Sequence, residues 1–160
     1  MVNSTKMAIF SRTESKLLPN QIKEIENLIK LDFPDDYKKH LLIYNGGKCS
    51  PEKFTFKEKE KKTSSSVDWF LAIYQGEYDN LQNYIQIYKK DEKRLPTHIV
   101  PIAHDAGGNL ICISCGKQDY GYVYFWDHEN EVDYSCNDDS NYSNLYLIAK
   151  SFTEFINVLV

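Results

Sequence analysis

No stretch of this 160-residue sequence approaches the roughly 20 apolar residues that a membrane-crossing helix needs. The first apolar run, Met7-Ala8-Ile9-Phe10, is too short for the core of a signal peptide and lacks a convincing cleavage site. The sequence therefore reads as that of a soluble, cytoplasmic chain. In that compartment Cys49, Cys112, Cys115 and Cys136 are expected as reduced thiols, not as a disulfide framework. Cations are nearly missing from the C-terminal part. Between Gln118 and Val160 eight carboxylates face one lysine, Lys150, for a net charge of −7, while the first 117 residues carry +3. Phosphate is repelled by so acidic an end, which argues against nucleic acid as its ligand. A basic protein would be attracted to it.

Motifs of catalysis are missing as well. No HExxH spacing places two metal ligands on one helix. Cys112-Ile113-Ser114-Cys115 has CxxC spacing but no second pair, and residues three apart on a strand point to opposite faces. Buried thiols acting as small hydrophobes account for it better than zinc. Gly107-Gly108-Asn109 is too short to cradle a phosphate and leads into a strand instead of a helix. No serine sits in a nucleophile elbow. No cofactor or metal is expected.

What is present describes one folded domain. Apolar residues make up 42% and charged residues 26%, ordinary for a globule long enough to bury its own core. The unusual feature is aromatic: 12 Tyr and 8 Phe. A tyrosine can pack its ring and still offer a hydroxyl, so it suits half-buried strands and binding faces equally.

Residues 1–17 read as an N-terminal arm with a short strand, ahead of a domain over 18–160. Ile22, Ile25, Leu28 and Ile29 share one face of a helix over 20–31, with Asn20 as a cap. A second helix spans 34–44: Pro34 opens it, Asp35 and Asp36 suit its positive end, and Asn45-Gly46-Gly47 stops it. Phe54 and Phe56 alternate, but Lys57-Glu58-Lys59-Glu60-Lys61-Lys62 and the Thr-Ser-Ser-Ser tract after it read as a solvated loop. Val67, Trp69, Leu71 and Ile73 alternate as a strand does. A third helix is expected over 78–90. Strands follow at His98–Ala103, with Pro101 marking an edge or bulge, at Asn109–Cys115, at Gly121–Asp127 and at 144–149. Ser151 then caps a closing helix. Helices followed by mostly antiparallel strands give an α+β fold, a single domain with a largely antiparallel mixed sheet and helices packed on one face.

Five segments in order carry a family resemblance. Leu31-Asp32-Phe33-Pro34-Asp35-Asp36-Tyr37 with Asn45-Gly46-Gly47 resembles the opening motif of the SUKH superfamily, the Smi/Knr-like domain. Val100-Pro101-Ile102-Ala103, Asp105-Ala106-Gly107-Gly108-Asn109, Gly121 to Glu129 and Ala149 to Phe155 are similar to its later signatures. The resemblance implies a single α+β domain and, in bacterial members, an immunity protein that binds and blocks a toxin, often a nuclease. Some eukaryotic relatives are regulatory interaction modules. The family motifs are mainly structural, so no catalytic residue carries over.

The sharpest enzyme-like set is His104-Asp105 with Asp127-His128-Glu129, which a hairpin would gather at one end of the sheet. A metal-dependent hydrolase using His104, Asp105, Asp127 and His128 is thus an alternative, against the simpler reading of turn-locking hydrogen bonds. A regulatory scaffold is another. The leading expectation is a non-enzymatic protein-binding module that neutralises a protein toxin, a basic nuclease among the candidates. Its binding face would use Tyr122, Tyr124 and Trp126 as anchors and Asp127, Glu129, Glu131 and Asp133 as steering charges. Equally, those aromatics are core and the acids a soluble rim.

Overall fold

The computed structural model describes residues 7–136 and 138–160; the first six residues of the arm lie outside them. The front of the domain is a helical pair, α1 (Pro19–Ile29) and α2 (Asp35–Ile43). Asn20 is not the cap of α1: Pro19 takes the first helical position, and the Gln21 side chain accepts the Leu18 N–H at 2.8 Å. Leu41 reaches the core and Leu42 packs against it. The two helices are tied by Glu26, a buried carboxylate that accepts the Phe33 N–H at 2.8 Å and lies 3.6 Å from Lys38.

Asn45 does more than end α2. Its buried amide donates to the carbonyls of Ser15 and Ile73 and accepts the Ile73 N–H, so one side chain ties three chain segments together. Gly46 follows at φ 71°, where a Cβ would stand 2.6 Å from that of Ala72. Only glycine tolerates both the backbone angle and the closeness. Upstream, β1 (Ile9–Ser11) pairs antiparallel with β2 (Lys48–Ser50), and Leu17 is buried.

The charged stretch after Phe56 is a hairpin, not a loop. β3 (Lys53–Glu58) and β4 (Lys61–Ser66) pair in register over six residues. Their turn is Lys59-Glu60, both at left-handed φ (48° and 68°), in place of the Asn-Gly that usually signals such a turn. The hairpin's burial comes from β3, whose Phe54 and Phe56 point inward while the β4 side chains stay largely in water.

The main sheet runs β5 (Trp69–Phe70), β6 (Ile99–His104), β7 (Leu110–Ser114), β8 (Val123–Trp126) and β9 (Leu145–Ala149), each antiparallel to its neighbour in that order. The 67–73 stretch pairs as a regular strand for only two residues. Beyond Phe70 its backbone reaches Ile102 and then Asn80 instead. The β6–β7 register shifts between Pro101 and Ala103, as a residue without an N–H would require. A short helix α3 (Leu81–Ile85) continues in wider turns over Gln86–Asp91. α4 (Phe152–Asn157) closes the chain, its N-terminus capped by Ser151, whose hydroxyl accepts the Glu154 N–H at 3.0 Å.

The sheet separates two clusters. On one face Val100, Ile102, Ile111, Ile113, Val123 and Phe125 join the buried residues of α1, α2, α4 and β3 in the main core. On the other, Ile99, Leu110, Cys112, Tyr124, Trp126 and Leu145 gather with Leu95 beneath partly buried Tyr84, Tyr88, Tyr122 and Tyr142. Cys112 belongs to the second cluster and Cys115 packs on the first, so the CxxC thiols do face apart. Burial pushes Cys49 and Cys115 up to about 12, and Cys112 further still.

Candidate functional site

Strand β8 alternates as its sequence requires, Val123 and Phe125 toward the main core and Tyr124 and Trp126 toward the second face. That face is covered by Tyr84 and Tyr88, by Leu95 and by Tyr142 of a strap that links β8 to β9, described over residues 127–136 and 138–144. The strap starts with Asp127, whose carboxylate accepts the Glu129 N–H at 2.9 Å and the Asn130 amide at 2.6 Å, turning the chain through His128–Asn130. Three ties hold it to the loop after α3. Glu131 pairs with Arg94, the Tyr134 N–H reaches the Lys93 carbonyl, and Asp139 accepts both the N–H (2.9 Å) and the hydroxyl (2.5 Å) of Thr97. Tyr134 itself is buried, its hydroxyl donating to the Asn141 carbonyl at 2.5 Å.

The seven residues expected to bind a partner therefore occupy two levels. Trp126 is fully buried and Tyr124 is 7% exposed, while Tyr122 is half-buried at the sheet end. Trp126 supports rather than touches: Tyr88 meets its ring edge-on, and the Arg94 guanidinium lies 5.0 Å from its centre and 4.7 Å from that of Tyr88. Above that layer Glu129, Glu131 and Asp133 are exposed and Asp127 partly so. Glu131 is engaged by Arg94, and Asp133 accepts the Ser135 N–H, a bond that holds its carboxyl below the ordinary range.

A residue with no motif to announce it organises the other end of the face. Asp119, in the turn between β7 and β8, accepts the hydroxyls of Ser114 (2.5 Å), Tyr124 (2.7 Å) and Tyr142 (2.9 Å). Partial burial pushes its carboxyl up, but those three bonds outweigh it and hold the group below its usual value. Burial, reinforced by the Asp119 charge, raises the Tyr124 and Tyr142 phenols well above theirs. The Tyr142 hydroxyl also lies 2.5 Å from His98 Nε2. The sequence signal was the abundance of tyrosine alone; the partners lie 5 and 23 residues from Asp119 along the chain.

The enzyme-like set is placed at one end of the sheet, as the hairpin required, but its side chains are taken up in hydrogen bonds with other residues. Asp105 accepts the Gly107 and Asn109 N–H groups, the Asn109 amide and the Ser65 hydroxyl. His128 Nδ1 meets the side-chain amide oxygen of Asn109 at 2.6 Å, and His104 meets Asp79 at 2.5 Å. Asp127 turns the strap. Among the described residues no three His, Cys, Asp or Glu side chains are grouped to hold a metal ion. These are the bonds of locked turns. Gly108 at φ 89° and Gly121 at φ 88° supply the backbone angles. At Gly121 a Cβ would have room, so the angle and not a clash requires glycine.

Among the described residues no helix is long and apolar enough to cross a membrane. Compared with known proteins, residues 16–158 match the SMI1 / KNR4 family (SUKH-1). The chain is also 34% identical over 154 residues to the SPbeta prophage-derived uncharacterized protein YokK of Bacillus subtilis (strain 168), covering 88% of this chain and 73% of that one.

Proposed function

Since the chain belongs to the SMI1 / KNR4 (SUKH-1) family, we propose that it is a non-enzymatic, cytoplasmic immunity protein that binds and blocks a protein toxin through its strap-covered face. The observation that carries this reading is the strap itself. Its exposed carboxylates stand on a rigid aromatic layer, within a C-terminal part that holds Lys150 as its one cation. Such a surface speeds encounter with a basic partner, a nuclease among them, and repels nucleic acid. Glu129 and Asp133 supply the steering charge. Tyr122, at the sheet end, supplies contact area, and buried Trp126 and Tyr124 keep the surface from yielding when a partner docks.

The test is protection. A neighbouring gene is expected to encode a toxin-domain protein, and cells producing that protein should survive when the chain is co-produced and die when it is not. Survival that does not depend on the chain, or a complex that leaves the toxin fully active, would contradict the proposal.

A further inference from the structure

Between the β7–β8 turn and the far end of the strap lies an open cleft of about 670 Å³, lined by His98, Lys117, Asp119, Tyr124, Asp139 and Tyr142 among others. We propose that this cleft receives an arginine side chain carried on a loop of the protein partner, a proposal that rests on the toxin-binding reading above.

Three features argue for that guest. The first is room: a cleft of this size accepts the tip of a loop and not only an ion. The second is charge. Two carboxylates line the cleft, and among the described residues neither forms an ion pair; Lys117 at the exposed rim is the lysine that lines it. The donors on Asp119 are neutral hydroxyls, which fix the carboxylate in place, and the basic side chain nearby is His98, held on the Tyr142 hydroxyl. A carboxylate fixed in this way loses little freedom when a cation arrives. The third is the shape of the walls. Tyr124 and Tyr142 stand edge to face with ring centres 5.3 Å apart, and the His98 ring lies nearly parallel to Tyr142 at 5.8 Å. An aromatic wall beside carboxylates that keep lone pairs free, one on Asp119 and one on each oxygen of Asp139, suits a planar, weakly hydrated guanidinium better than a compact ammonium.

The experiment is an NMR titration of the full chain at low salt with an acetylated, amidated Gly-Arg-Gly peptide, following the His98 and Tyr142 rings. A matched peptide with citrulline, which keeps the shape and loses the charge, is the comparison. Saturable shifts are expected with arginine, and binding about tenfold weaker or worse with citrulline, because hydrogen bonds to a charged group are the stronger ones. Asp119→Asn should weaken arginine binding by a similar factor, with its amide spectrum confirming the fold. Lys117→Gln alters only an exposed rim residue and should tighten binding severalfold as a repelling charge goes. Shifts that do not saturate, equal binding of citrulline, or an unchanged Lys117→Gln affinity would overturn the proposal. No toxin enters the titration, so failure here leaves the neutralisation reading intact, and failed protection of cells leaves the cleft result standing.

Discussion

Strand β8 looks two ways, and the two faces it serves are built by different chemistry. Toward α1, α2, α4 and β3 it presents Val123 and Phe125 to a layer of aliphatic and phenyl side chains, with Phe56 stacked on Phe125 at 4.4 Å. Toward the strap it presents Tyr124 and Trp126, where ring packing is combined with hydroxyl–carboxylate bonds and an arginine lying over two rings. The first face is closed and apolar and serves stability. The second holds polar groups at fixed positions, and those groups form the surface proposed above to meet a partner.

The largest loss of stability is expected on the apolar face. Phe155 is fully buried among Phe54, Phe70 and Phe152. Phe155→Ala should cost about 3–5 kcal/mol in denaturant unfolding, and a loss below about 1 kcal/mol would show this core to be wrongly placed.

Acid probes an imidazole packed into that face. His40 lies against Phe10 and Phe152, each ring centre 4.7 Å away, and burial lowers its pKa to about 4. The unfolded chain takes up the proton near 6.5, so stability is fully present above that pH and is lost as pH falls toward about 4. His40→Phe should flatten this part of the profile relative to the unaltered chain. Parallel profiles for the two proteins from pH 7 to 4 would contradict it.

Legibility in the sequence divides along the same line. Helix α2, the capped α4 and strands β6 to β9 could be read because apolar period, Pro34, Ser151 and the glycines all point one way. The β3–β4 hairpin could not, since β4 is Lys, Ser and Thr and its turn is Lys-Glu. The alternation of Tyr122, Tyr124 and Trp126 was readable. The choice between anchor and core was not, because the cover comes from Tyr84, Tyr88, Leu95, Arg94 and the strap, contacts made across long sequence separations. The hydrolase alternative, too, placed its residues at the right end of the sheet without revealing that Asn109 links Asp105 to His128 through hydrogen bonds.

On the strap side, smaller losses are expected. Tyr124→Phe removes one hydroxyl from Asp119 and should cost about 1 kcal/mol, detectable as a shift in the denaturation midpoint. A neutral outcome would mean that the Ser114 and Tyr142 hydroxyls alone satisfy the carboxylate.

The smallest change in stability should accompany the largest change in recognition. Glu129→Lys with Asp133→Lys alters two exposed side chains and should move stability by no more than about 0.5 kcal/mol each. Whether the acidic strap meets the partner is decided by the association rate of this double variant with the toxin at low salt. A rate at least about tenfold slower than that of the unaltered chain is expected, with the difference shrinking as salt rises. An equal rate for the two proteins at low salt, with protection of cells retained, would contradict it.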